Sequence, residues 1–336
     1  MTTVAVLGGG SFGTAMANMI AANGHAVTLW MRDAEAAATT TASRRNSRYL
    51  PDYALEESLQ ISADLATAVN SAEVVFFAVP SKSLRQLASD VAPLLADRAG
   101  LVSMAKGVEA DSFLLPSQII EQELPNHNIA VISGPNLAAE ICQRQITATV
   151  VASDSAPLCA QVQELIASDY FRVYANSDRF GVELAGALKN IYAIVAGVVA
   201  AMGMGQNSRA VMLTRSLAEM SRFAVQLGAD PMTFLGLSGV GDLYVTCSSP
   251  LSRNYQVGFE LGNGKGLDEA IAAVGQTAEG VNTTRLVVAK AAELGVYMPL
   301  ANALAAILFE QRSIGSLLRD MMSAEQGHDV EFATPR

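Results

Sequence analysis

Cysteine and histidine are scarce in this chain, with 3 of each among 336 residues. Cys142, Cys159 and Cys247 are odd in number and widely spaced, and no C-x-x-C pair occurs. That excludes a disulfide framework and a cysteine-built zinc site. His25, His127 and His328 are equally scattered, so no metal site is expected. Unpaired thiols fit a reducing, cytoplasmic compartment. Positive charge is also short: 22 Lys and Arg stand against 32 Asp and Glu, a formal net charge of −10. Such a balance does not suit nucleic acid or an anionic membrane as the main partner. A few local basic residues still suffice for a phosphorylated small molecule. The N-terminus lacks the basic region and cleavage site of a signal peptide. Residues 190–208 lack charge and approach the length of a membrane span, but they are rich in Gly and Ala and broken by Gly203-Met204-Gly205. They are expected to form a buried core helix, with no stable membrane insertion. No internal repeat of fixed period occurs.

What the chain does have is apolar content: 51% hydrophobic against 16% charged. That predicts folded protein throughout and, at this length, two domains. The first stretch is the most informative. Val4-Ala5-Val6-Leu7 reads as a buried strand that runs into Gly8-Gly9-Gly10-Ser11-Phe12-Gly13. The spacing of Ala15, Met16, Met19 and Ile20 then predicts a helix up to Asn23-Gly24. Gly8, Gly10 and Gly13 stand at G-x-G-x-x-G spacing, which serves a tight turn, close approach of backbone to a pyrophosphate, and close packing of helix on strand. Free amides at the helix N-terminus would take the phosphate charge. Glycines alone also fit an ordinary turn; the strand before and the helix after favour a dinucleotide site.

The second strand, Ala26-Val27-Thr28-Leu29-Trp30, ends beside Met31, Arg32 and Asp33. Arg32 suits the 2′-phosphate of NADP and Asp33 the free 2′-hydroxyl of NAD. Arg44, Arg45 and Arg48 add positive charge nearby or simply face solvent, and NADP is favoured over NAD. Further apolar runs at 73–79, 101–105, 129–132, 149–152 and 171–174 alternate with helical segments, among them 83–96, 117–122 and 157–166, and another helix opens near Asn136. This is the pattern of a doubly wound, mostly parallel sheet. After Asp178 no strand is evident. Helical patterns cover 179–201, 209–227, 231–235, 267–273, 281–294, 299–311 and 313–322. The expected architecture is α/β: an N-terminal Rossmann-type domain over 1–177, an all-α substrate domain over 178–323, and a polar tail over 324–336.

Ligands of open parallel sheets bind beyond the carboxyl ends of the strands. That singles out three loops: Pro80-Ser81-Lys82, Ala105-Lys106-Gly107 and Ser133-Gly134-Pro135-Asn136. On the helix 179–201, Lys189 and Asn190 interrupt an uncharged run, and Ala185, Gly186, Ala193 and Gly197 around them are small. The lysine either faces a ligand, with its ammonium partly desolvated, or pairs with a carboxylate such as Glu183. Gly239-Val240-Gly241-Asp242 marks a loop or helix start, where Asp242 would cap the helix. Ser252-Arg253-Asn254 groups a hydroxyl, a guanidinium and an amide of the kind that grips phosphate.

The ordered set of these segments resembles the bacterial NAD(P)-dependent glycerol-3-phosphate dehydrogenases from end to end. The resemblance is carried by Gly8-Gly9-Gly10-Ser11-Phe12-Gly13, Ala105-Lys106-Gly107, Ser133-Gly134-Pro135, Ala187-Leu188-Lys189-Asn190, Gly239-Val240-Gly241-Asp242-Leu243, Thr246-Cys247, Ser249-Pro250-Leu251-Ser252-Arg253-Asn254 and Ala278-Glu279-Gly280-Val281. It implies reduction of dihydroxyacetone phosphate by NAD(P)H to sn-glycerol 3-phosphate, a phospholipid precursor. It also implies Lys189 as the acid/base, with Asp242 orienting the ammonium or a substrate hydroxyl. Lys106, Gly134, Asn136, Ser252, Arg253 and Asn254, together with Lys189 and Asp242, would line the substrate pocket. Ser11, Phe12, Arg32, Tyr49, Lys106, Ala138, Arg253, Thr277 and Glu279 would contact the cofactor, alongside Gly8, Gly10 and Gly13. Two positions depart from the family. Phe12 replaces the usual Trp and loses an indole donor, and Asn136 replaces a small hydroxyl residue. The apolar helical half would suit a homodimer. The competing readings are a ketopantoate or hydroxyacid reductase, which would not need Ser252-Arg253-Asn254, a nucleotide-sugar dehydrogenase with Cys247 as nucleophile, and a non-catalytic NAD(P)-sensing protein.

Overall fold

In the computed structural model, residues 1–275 and 278–323 are described. They divide into two units, one of Met1–Glu109 and Leu114–Glu183, the other of Ala110–Phe113 and the chain from Leu184 onward. The change of character near residue 178 coincides with the start of the helix Arg179–Ala201, and the division falls a little over a turn inside it.

The first unit is built on eight strands: β1 (Thr3–Leu7), β2 (Ala26–Trp30), β3 (Gln60–Ser62), β4 (Val74–Phe77), β5 (Gly100–Ser103), β6 (Ile129–Ser133), β7 (Thr147–Ser153) and β8 (Phe171–Asn176). They form one sheet in the order β3-β2-β1-β4-β5-β6-β7-β8. Every pairing is parallel except that of β6 with β7. The chain grows outward from β1 through β2 to β3, then returns to start the other half with β4. This reversal places the end of β1 at the topological switch point, where open α/β sheets bind ligands. Leu7 pairs there with both Trp30 and Phe77.

Strand alternation sorts the core. Val4, Val6, Phe76 and Val102 face one layer of helices; Ala5, Leu7, Phe77 and Leu101 face the other. Both faces are covered, so the strands read in the sequence as continuous apolar runs. The sequence reading misses β3, which has three residues and no buried one. The helix expected over 83–96 is instead a 3-10 turn at Ser81–Ser83, an α-helix at Leu84–Val91 and a second 3-10 turn at Ala92–Leu94. Pro93 lies in that last turn and cannot donate to an α-helical ladder. Helices at Ala34–Ser43 and Leu65–Val69 were not expected.

The second unit has no strand among its described residues. Its α-helices, after Arg179–Ala201, are Gln206–Gln226, Asp242–Ser248, Arg253–Gly262, Leu267–Val274, Glu279–Leu294, Pro299–Glu310 and Ile314–Ser323. Arg179–Ala201 has the length and composition of a membrane span, but 78% of its apolar window is buried inside the protein. Part of that burial is backbone on backbone. A Cβ on Gly197 would sit 2.0 Å from the Tyr255 carbonyl oxygen, and one on Gly258 would sit 1.9 Å from that of Ile194. The space expected for a ligand beside Gly197 is therefore filled by the helix Arg253–Gly262. Glu219, also buried, accepts from the Leu300 and Ala301 amides at 2.7 and 3.2 Å. It satisfies the start of Pro299–Glu310, where Met298 supplies no side-chain cap.

Candidate functional site

The glycine turn follows β1 directly. Gly8 has φ +127°, a conformation that favours glycine, and a Cβ on Gly13 would lie 2.1 Å from the Gly8 carbonyl oxygen. A Cβ on Gly10 would meet nothing within 4 Å. Gly10 is also the N-cap of the helix Ser11–Ala22, which has no side-chain cap and no acidic residue in its first turn. Open space, free amides and the absence of an acid form an anion cradle, and this fits the pyrophosphate of a dinucleotide. Ser11 and Phe12 stand in that first turn, with Phe12 half-buried against the core.

Arg32 and Asp33 follow β2 by two and three residues. Asp33 is the N-cap of Ala34–Ser43 and accepts from the Glu35 and Ala36 amides, both at 3.0 Å. Arg32 is exposed. Of the three later arginines, Arg44 donates to the Leu59 carbonyl oxygen at 3.1 Å and Arg45 to that of Pro51 at 3.2 Å. Both therefore close their own loop. The Arg48 guanidinium lies 5.3 Å from the centre of the Tyr49 ring, and Tyr49 is half-buried.

Beyond β5 and β6, Lys106 Nζ donates to the Gly134 carbonyl oxygen at 3.2 Å, which joins two of the three loops singled out in the sequence. Gly134 has φ +147°. Asn136 Nδ2 donates to Thr149 Oγ1 at 2.8 Å, and Asn136 Oδ1 is buried with no hydrogen-bond partner among the described residues. An unpartnered buried acceptor costs free energy unless a ligand donor meets it. Ala138 opens the helix Ala138–Cys142, two residues later than the start expected near Asn136.

In the second unit Lys189 is only 6% exposed and Asp242 1%. Lys189 Nζ donates to Asp242 Oδ1 and, at 2.8 Å, to Thr246 Oγ1. The alternative partner Glu183 is engaged elsewhere and accepts from the Ser117 amide at 3.0 Å and from its hydroxyl. Burial pushes the Glu183 carboxyl up to about 7. Nor does Asp242 cap a helix. A π-helical turn, Leu237–Gly241, runs straight into Asp242–Ser248, so there is no free N-terminus to cap. Thr246 lies four residues after Asp242, hence on the same helix face. The sequence reading gave it no role because a seven-residue helix with polar residues turned inward leaves no apolar period.

Ser252 is the N-cap of Arg253–Gly262 and accepts from the Tyr255 amide at 3.3 Å. Arg253, the first residue of that helix, is exposed. Asn254 is buried, its Nδ2 donating to Asn190 Oδ1 and its Oδ1 accepting from the Gly280 amide, both at 3.0 Å. Asn254 thus ties Asn190, the residue beside Lys189, to the starts of two helices, a structural role for Asn190 that the sequence pattern does not show. Glu279 opens the second of them, Glu279–Leu294. Thr277 lies outside the described residues. The described residues contain no group of three or more His, Cys, Asp or Glu placed to hold a metal. Cys247 is buried, and burial pushes its thiol up to about 12, which disfavours the thiolate that a nucleophile needs.

The glycine turn at the switch point of the doubly wound sheet and, in the second unit, a buried ammonium held by a carboxylate and a hydroxyl are features suited to a dinucleotide-dependent oxidoreductase. Comparison with known proteins narrows the class. The pattern of the NAD-dependent glycerol-3-phosphate dehydrogenase N-terminus matches residues 3–159, and that of its C-terminus residues 178–319. A glycerol-3-phosphate dehydrogenase [NAD(P)+] of Azotobacter vinelandii is 55% identical over 329 residues, 98% of this chain and 96% of the relative. The crystal structure of glycerol-3-phosphate dehydrogenase from Coxiella burnetii superposes with a TM-score of 0.91 at 34% identity, over 96% of this chain and 99% of that one. A ketopantoate reductase from Ralstonia eutropha, at 18% identity and a TM-score of 0.60 over 91% of this chain and 96% of its own, shares the fold alone. The chain belongs to the NAD(P)-dependent glycerol-3-phosphate dehydrogenase family.

Proposed function

We propose that this enzyme reduces dihydroxyacetone phosphate to sn-glycerol 3-phosphate, the backbone precursor of glycerophospholipids, and that Lys189 is its acid/base. The observation that carries the assignment is the buried contact of Lys189 Nζ with Asp242 Oδ1 and Thr246 Oγ1. NAD(P)H, when bound, supplies the hydride. As negative charge builds on the carbonyl oxygen, the Lys189 ammonium stabilises it and delivers a proton to that atom. Asp242 and Thr246 hold the ammonium in place and compensate its buried charge.

Arg253, at a helix N-terminus capped by Ser252, is suited to a phosphate dianion. Asn254 is committed to Asn190 and Gly280, so its part is to fix that helix start, with one amide hydrogen left for the ligand. Lys106, Gly134 and the open acceptor of Asn136 are assigned to the substrate as well. Gly10, Ser11 and Phe12 face the pyrophosphate in a turn shaped by Gly8 and Gly13; Tyr49, Lys106, Ala138, Arg253, Thr277 and Glu279 complete the cofactor set. NADP is favoured over NAD because Arg32 is exposed just beyond the end of β2, while Asp33 commits Oδ1 to its helix cap. The cytoplasm suits three free thiols. The apolar helical unit, on which Val211, Tyr244 and Leu251 are exposed, suits a homodimer. The test is NADPH oxidation with dihydroxyacetone phosphate and with unphosphorylated dihydroxyacetone. Arg253→Ala is expected to raise KM for the first at least roughly tenfold, the loss of a charge-assisted hydrogen bond. An unchanged KM removes the phosphate role.

A further inference from the structure

The glycine turn is tied from outside by a side chain of another loop. Asn46, 2% exposed, comes from the loop after Ala34–Ser43 and lies against the turn. Its Nδ2 donates both hydrogens, to the Gly9 carbonyl oxygen at 2.8 Å and to Thr14 Oγ1 at 2.9 Å. The Gly9–Gly10 peptide is planar and trans, so its C=O and N–H point in opposite directions. Holding the Gly9 carbonyl on Asn46 therefore turns the Gly10 N–H the other way. A flip of that peptide is easy in the absence of a tether, because glycine stands on both sides of it.

The same residue organises its own loop. The Asn46 carbonyl accepts from the Tyr49 amide at 3.1 Å and the Leu50 amide at 2.8 Å, which fixes the turn bearing Arg48 and Tyr49. A second tie, independent of the turn, lies one helical turn further along Ser11–Ala22. There Asn18 Nδ2 donates to the Tyr53 hydroxyl at 2.8 Å, and Asn18 Oδ1 accepts from the Glu56 amide at 2.6 Å.

We infer that Asn46 is the positioning residue of the cofactor site: its side chain sets the Gly10 N–H as a pyrophosphate donor, and its backbone sets the Tyr49 turn. This rests on the reading that the glycine turn holds NAD(P). It acts on cofactor affinity and leaves the proton-transfer step untouched. Asn46→Asp is the sharpest replacement, because it keeps the shape, cannot donate, and sets a carboxylate against the Gly9 carbonyl.

The experiment is NADPH binding followed by its fluorescence, together with steady-state kinetics, for wild type, Asn46→Asp and Tyr53→Phe. Asn46→Asp is expected to raise both the NADPH dissociation constant and its KM roughly tenfold or more, the loss of at least one buried hydrogen bond. Its kcat at saturating NADPH and its KM for dihydroxyacetone phosphate stay within about twofold. Tyr53→Phe, which loosens the other tie of the same loop, leaves the NADPH constants within about twofold. Should Asn46→Asp not fold, Thr14→Val, which removes one of the two acceptors and frees the amide to turn, carries the test with an expected rise of roughly threefold or more. Unchanged NADPH constants in the Asn46 or Thr14 variant overturn the inference, and so does an equal rise in Tyr53→Phe. Failure of the wild type itself to bind NADPH would instead overturn the cofactor reading beneath it.

Discussion

Asp242→Asn tests the lysine cluster through stability before any turnover is measured. The substitution keeps the shape and one acceptor for Lys189 Nζ, but it removes the carboxylate charge hydrogen-bonded to that ammonium. Both side chains are almost inaccessible, 8% and 1% exposed, so water cannot replace the lost charge. Leaving one member of a buried pair uncompensated costs about 3–5 kcal/mol. The remaining hydrogen bond from Asn and the Thr246 hydroxyl place the expected loss at the lower end, about 3 kcal/mol. That is a large part of the usual stability of a folded protein, about 5–15 kcal/mol. The cost arises from the lysine charge, so removing that charge as well should reverse it. The double variant Lys189→Met with Asp242→Asn is expected to be more stable than Asp242→Asn alone, although it carries one more substitution. The assay is urea denaturation of wild type, both single variants and the double variant, read as a double-mutant cycle. If Asp242→Asn costs less than about 1 kcal/mol, or if the two single losses simply add, the lysine is not a buried charge held by Asp242.

Two further outcomes follow from side chains already placed. Arg32→Ser is expected to weaken NADPH binding and leave NADH binding unchanged, measured by titration with each cofactor; an equal change in both would return Arg32 to the solvated surface. Glu183, raised from 4.5 to about 7 by burial, ionises in the unfolded chain before it does in the folded one. The folded state then holds the extra proton, so stability falls as pH rises from about 4.5 to about 7, by about 3 kcal/mol, and this group adds no further change above that. Glu183→Gln should flatten that slope in melting temperatures taken across the interval, and an unaltered slope would move its origin to another group.

The strands were legible wherever the sheet is covered on both faces, because β1, β4 and β6 then appear as nearly unbroken apolar runs. β3 was not legible: at the sheet edge, three residues with little burial carry no pattern. The antiparallel placement of β7 was likewise hidden, since strand direction leaves no trace in side-chain periodicity. In the second unit the long helices were read closely, but Asp242–Ser248 and Arg253–Gly262 were not. Their inward faces carry the buried polar residues Asp242, Thr246 and Asn254, which erase the apolar period that would have revealed the helices. The lysine was visible as a charge on an uncharged helix; its pairing with Asp242 was not legible in the residue pattern and entered only with the family resemblance. Glu183 stands near it in sequence, whereas Asp242 is 53 residues away, a proximity only the fold creates. Gly197 misled for a related reason, since a small residue marks close approach equally well for a ligand or for another helix.

The role of Lys189 is tested most directly by chemical rescue. Lys189→Ala is expected to lose roughly 10²–10⁴-fold in kcat for reduction of dihydroxyacetone phosphate, with NADPH binding retained. Truncating a buried side chain leaves a cavity that a small primary amine can enter. Added methylamine should then restore turnover in proportion to its concentration, and bulkier amines should restore less. A variant that keeps more than about one-tenth of wild-type kcat, or one whose lost turnover no amine restores, would contradict Lys189 as the proton donor.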